Sequence, residues 1–138
     1  MKSKKIVFIL FLLITFSISS QTISKENLIG TWNVTDLSGE LPPALNEAHQ
    51  KKLDQLITAF KNASFEFNKD KTFNFNIDFI ELGEMLKNKK WEFNQENIKV
   101  NIKDQTDGIL MTIDIVKNKE QFLFLLSETP FILEVEKL

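Results

Sequence analysis

A two-residue rhythm runs through most of the chain from residue 64 onward, and it limits the fold more than any other feature. Phe65 and Phe67 flank Glu66, and Phe73, Phe75, Ile77 and Phe79 alternate with Asn74, Asn76 and Asp78. The pattern continues in Trp91-Glu-Phe93, Ile98-Lys-Val100-Asn-Ile102, Met111-Thr-Ile113-Asp-Ile115 and Phe131-Ile-Leu133-Glu-Val135. Successive side chains of a strand point to opposite faces, so each stretch predicts a strand with one apolar and one polar face. Gln121 to Ser127 is apolar on both sides, with Phe122 and Phe124 facing one way and Leu123 and Leu125 the other. With Ile29–Leu37 added, about eight strands are predicted.

The connections between them are short: Asn68 to Lys71, Gln95-Glu96, Asp104 to Gly108 and Asn118 to Glu120. Strands joined this tightly must be antiparallel neighbours, because a parallel crossover needs a dozen or more residues. A meander of that many strands with one apolar face has to close or fold over to bury it, and a small barrel is the economical solution.

One stretch departs from the rhythm. From Pro42-Pro43 to Asn62, apolar Leu45, Ala48, Leu53, Leu56, Ile57 and Phe60 follow a helical stripe, with Glu47, Lys51, Lys52, Asp54 and Gln55 opposite. An amphipathic helix between strands 1 and 2 is predicted, with proline in its first turn. A weaker helical signal covers Glu81 to Asn88, between strands 3 and 4.

The N-terminus is of another kind. Lys2, Lys4 and Lys5 precede an apolar run from Ile6 to Ile18, then Ser19, Ser20 and Gln21. This order predicts a secretory signal peptide over residues 1–20, cleaved near Ser20–Gln21, with one domain over 21–138. The apolar run is shorter than the roughly 20 residues that span a bilayer, so no integral membrane span is expected after cleavage. Three of the 17 lysines lie in the signal, leaving 14 against 19 acids, a net charge of −5. A mildly acidic domain without arginine is poorly suited to nucleic acid or anionic lipid. It has no cysteine either, which removes disulfides, thiolate chemistry and a lipid-attachment site, and leaves burial to hold the fold.

Ile29-Gly30-Thr31-Trp32 matches the G-x-W start of lipocalin and fatty-acid-binding-type barrels. More closely, the chain resembles the lipocalin-like domains of exported Bacteroidetes proteins. That likeness is carried by Gly30 and Trp32, Phe65 and Phe67, Lys69-Asp70-Lys71, Phe73 and Phe75, and Trp91. The resemblance implies an antiparallel up-and-down eight-stranded lipocalin-like β-barrel, all-β apart from the inserted helix. It also implies the periplasm or exterior of a Gram-negative cell. The sequence departs from the lipocalin pattern in lacking the arginine that packs over the N-terminal tryptophan. Lys137 offers a partial substitute without a planar group. It lacks the T-D-Y signature as well, and the arginine and tyrosine that hold carboxylates in fatty-acid-binding proteins.

Residue chemistry argues for binding over catalysis. His49 is the only histidine, on the apolar stripe of the predicted helix, and no second histidine or cysteine exists to complete a metal or nucleophile site. It is expected to be a partly buried helix residue. Asp104 to Gly108 lacks the ligand count of a calcium loop and reads as a hairpin turn with Asp107-Gly108 supplying positive φ. Glu66, Asp78, Glu92, Asp114, Glu134 and Glu136 fall on polar faces, as a solvated exterior requires. A transmembrane barrel would need longer strands of about 9–11 residues. No cofactor, metal or catalytic residue is expected.

The inward-facing set is the choice point. Phe67, Phe75, Phe79, Trp91, Phe93, Ile113 and Phe124 are the candidate ligand-binding residues, lining a pocket for a small hydrophobic molecule with the helix as lid or floor. The same residues would serve equally to fill the barrel, leaving an envelope protein-interaction module that acts through its surface. An eight-stranded barrel is just wide enough for either arrangement.

Overall fold

Every alternating stretch is a strand in the computed structural model, which describes residues 23–41 and 43–138. The predicted export segment and its cleavage junction lie outside the described residues. The strands are β1 (Gly30–Ser38), β2 (Ser64–Phe67), β3 (Thr72–Asn76) and β4 (Lys89–Asn94). They continue with β5 (Lys99–Lys103), β6 (Ile109–Asn118), β7 (Gln121–Leu126) and β8 (Ile132–Lys137). Each pairs antiparallel with its sequence neighbours, and β1 pairs with β8, closing an eight-stranded up-and-down barrel. Three helices are described: α1 (Lys25–Leu28), α2 (Glu47–Lys61) between β1 and β2, and α3 (Ile80–Met85) between β3 and β4. Among the described residues no helix is long and apolar enough to cross a membrane.

Register explains how the core forms. Phe65 sits opposite Phe75 and Phe67 opposite Phe73, so four phenylalanines from two strands enter the barrel as cross-strand pairs. Phe124 from the far wall meets Phe65 edge-on at 5.3 Å and Phe67 at 6.0 Å. Phe65, Phe67, Phe73 and Phe124 are all fully buried, and among the described residues no charged or polar one is buried with them. Polar partners stay outside, where Lys103 pairs with Glu92 at 2.7 Å and Lys99 with Asp114 at 3.6 Å.

The lower end, where β1 begins and β8 ends, is shut by α1. Ser24 and Asn27 form a reciprocal capping box that starts this short helix and drops Leu28, fully buried, beneath the barrel. The Trp32 indole donates to the Leu28 carbonyl at 2.9 Å. Lys137 Nζ donates to the Asn27 carbonyl at 3.0 Å and lies 5.8 Å from the Trp32 ring centre. Gly30, at φ 136°, leaves room for this lysine, because a Cβ there would meet Lys137 Cε at 2.8 Å. Gly30 and Trp32 thus work together at the closed end.

Four expectations change. The inserted helix begins at Glu47 and not near the prolines: Asn46 caps it by accepting from His49 N–H at 2.8 Å, and Pro43 precedes it in non-helical backbone. Leu45, placed on the buried stripe by periodicity, is 87 % exposed, and only Ala59 and Phe60 of α2 are fully buried. β3 ends at Asn76, so Phe79 lies beyond the strand, at the start of α3. In the β5–β6 turn, Asp107 alone adopts positive φ, at 64°, with Gly108 held from the other side by Asp104.

Candidate ligand-binding site at the barrel mouth

The site originates in an uneven seam. β2 and β3 share four register pairs, but β3 and β4 share two, Thr72 with Lys90 and Phe73 with Lys89. β4 therefore starts low on β3, and Asn74 to Asn76 have no partner strand on that side. The chain between them bridges the gap as α3, with Leu86 buried just after it and Asn88 N–H tying it back by donating to Asn74 Oδ1 at 3.0 Å. Above this seam the barrel is open.

The opening is a groove of about 440 Å³ between α2, α3, the start of β6 and the β7–β8 turn. Its floor is Phe75, Phe60 and Phe131, with Phe60 4.8 Å from Phe131 and 5.7 Å from Phe75 between ring centres. Its walls are Leu56, Leu82, Met85, Leu110, Met111 and Leu126. Met85 and Met111 are the only methionines besides Met1, and both are here. Methionine is flexible and polarizable, which suits a surface that must shape itself to a ligand. The volume falls within the roughly 300–1,000 Å³ of small-molecule pockets.

Two exposed apolar side chains line the groove, Ile109 at 59 % and Met85 at 44 %. The turn that forms one wall is fixed by Gly39 at the end of β1. Its φ is 113°, and a Cβ there would run into the Pro130 carbonyl. Lys52 of α2 reaches Glu81 of α3 at 3.9 Å, spanning the two helices.

The groove's polar groups are few: Thr112, Ser127, Glu128 and Thr129. Nearby, Asp104 accepts from the Thr106 hydroxyl at 2.8 Å, Gly108 N–H at 2.8 Å and Thr106 N–H at 2.9 Å. These bonds hold its carboxyl below the usual carboxylate range. Asp70, in the β2–β3 turn at the other end, is lowered in the same way by Thr72. Glu92 is lowered and Lys103 raised by their shared hydrogen bond on the outer face. All of these are turn or surface groups. His49 is half-buried, and its Nδ1 accepts from Leu45 N–H at 2.9 Å, completing the α2 cap. Among the described residues no three His, Asp or Glu side chains gather as metal ligands.

The candidate ligand residues divide between these regions. Phe67, Trp91, Ile113 and Phe124 are at most 2 % exposed and belong to the packed core. Trp91 stacks edge-on to Phe67 at 5.2 Å and donates to the Asn68 carbonyl at 2.9 Å. Phe93 is half-buried, on a shallow hollow beside Lys25, Lys71 and Lys90. Phe79 lies against the polar side of α2, near Lys51 and Asp54. Phe75 alone joins the core to the groove. Of the wall residues only Met111 falls in an alternating stretch, yet two signals mark the wall. Ile109-Leu110-Met111 breaks the two-residue rhythm with three apolar residues straight after a turn, and the weak helical stretch carries Leu82, Met85 and Leu86. A second hollow, of about 380 Å³ at the closed end, is edged by Lys117, Glu120, Glu136 and Lys137 and offers no comparable apolar wall. No protein-family model, curated protein or solved structure matches the chain.

Proposed function

We propose that this chain is an exported, non-enzymatic lipocalin-like barrel that binds a small apolar molecule at its mouth. The observation that carries the reading is the groove itself: an apolar, methionine-lined cleft over an aromatic floor, left open by the short β3–β4 seam. An apolar ligand seated there would shed water from its own surface and from the exposed Met85 and Ile109. Export is supported by the charged, apolar and small-residue order of residues 1–20. On this reading the periplasm or exterior of a Gram-negative cell is where the ligand is met. The filled lower barrel acts as scaffold.

Titration with the uncharged fluorescent probe N-phenyl-1-naphthylamine tests the binding site. Saturable one-to-one uptake is expected, and Met85→Trp, which fills the groove from its exposed rim, should weaken it about tenfold or more with folding intact. Absence of uptake, or uptake indifferent to Met85→Trp and to Met111→Trp, would sink the mouth as a site. Intact mass of protein recovered from its native host tests export, and a retained Met1 overturns it.

A further inference from the structure

We propose that the mouth selects an amphiphile with an uncharged hydroxyl head, such as a long-chain alcohol, and discriminates against carboxylates. This rests on the groove being the ligand site, and it follows from the polar groups the groove offers. Among the described residues Glu128, on the β7–β8 turn, is the only ionisable one lining it. No described lysine lines it, and the chain has no arginine. Lys52, on the neighbouring helix, is directed to Glu81. A carboxylate entering the groove would lose water next to a like charge, with no cation to compensate.

The hydroxyls point the same way. Thr129 Oγ1 donates to the Leu126 carbonyl at 2.8 Å and accepts from Phe131 N–H at 3.2 Å. Thr112 Oγ1 donates to Asn101 Oδ1 at 2.8 Å. Ser127 lies beside them, half-buried, and its hydroxyl makes no hydrogen bond to a described residue. Ser127 and Glu128 are adjacent, so one hydroxyl that both donates and accepts, and one carboxylate that only accepts, edge the same wall. A ligand hydroxyl can donate to Glu128 and accept from Ser127. A ligand carboxylate can do only the second.

Three probes with one ten-carbon tail separate the cases: 1-decanol, decanoate and decylamine, each displacing N-phenyl-1-naphthylamine from the purified protein at pH 7.5. Decanol is expected to displace the probe, and decanoate to need about tenfold more. Glu128→Lys should bring decanoate to within about threefold of decanol, and Glu128→Gln should narrow the gap part-way. Thermal melting confirms that both variants are folded. Decanoate binding as tightly as decanol, a gap unmoved by both variants, or decylamine binding over tenfold tighter than decanol, would each overturn the selectivity. If none of the three displaces a bound probe, the mouth reading itself fails, which is a separate outcome.

Discussion

At the lower end of the barrel Trp32 lies 4.8 Å from Phe122 and 5.5 Å from Phe124 over a fully buried Leu28. At the upper end Met85 and Met111 line a groove of about 440 Å³. Both ends are apolar, and both lie beside a helix. The lower helix is four residues long, capped at its start, and joined to the barrel by an indole and an ammonium group at backbone carbonyls. α3 has no side-chain cap at its start and no fully buried residue of its own, with Leu86 following just after it. Sealing an end thus depends on whether each polar group released by the chain finds a partner inside the seal. Apolar content alone does not distinguish the two.

The largest expected effect tests that contrast directly. Phe124→Ala removes a fully buried ring from the packed half and should cost roughly 3–5 kcal/mol in urea unfolding. Met85→Ala, at a rim residue 44 % exposed, should cost under about 1 kcal/mol. Similar losses from the two substitutions would break the distinction between a packed end and an open one.

Trp32→Phe sharpens it. The ring is largely kept, but the indole donor to the Leu28 carbonyl is lost, leaving an acceptor in a buried setting. A cost of about 1–3 kcal/mol is expected in the same unfolding assay. A neutral substitution would mean that ring packing alone closes the lower end.

How much of this was legible in the sequence follows from which forces each reading captured. Alternation captured burial on a pleated surface, so the eight strands, their meander and the packed Phe65, Phe67, Phe73 and Phe124 could be read directly. It failed at Phe79, which keeps the parity of Phe73 and Phe75, because strand extent depends on a partner and β4 pairs no further than Phe73. Leu45 failed in a similar way: its helical spacing is correct, but Asn46 and His49 start the helix after it. The mouth went unread because it is made by register between distant strands, and register is a property of pairs.

The smallest expected effect is at the open end's turn. The hydrogen bonds to Asp104 depress its folded pKa, so they stabilise fully above the ordinary carboxylate range, and the benefit fades as pH falls through the depressed value. Asp104→Ala should lower Tm by about a degree or two at pH 7. That deficit should shrink as pH falls through the depressed value, and a deficit independent of pH would assign the effect to turn geometry and not to charge.

The two-pair seam between β3 and β4 also sets how the molecule can breathe. A closed hoop is only as stiff as its weakest join, and every other neighbouring pair of strands is stitched by at least four register pairs. Parting β4 from β3 undoes those two register pairs, the bond from Trp91 N–H to the Lys71 carbonyl and the tie from Asn88 N–H to Asn74 Oδ1. Above Phe73 the join is made by α3 and not by strand pairing, so the seam yields first on its mouth side. Width of the mouth and stiffness of the strand-paired wall are set by different elements, so each can be altered without the other.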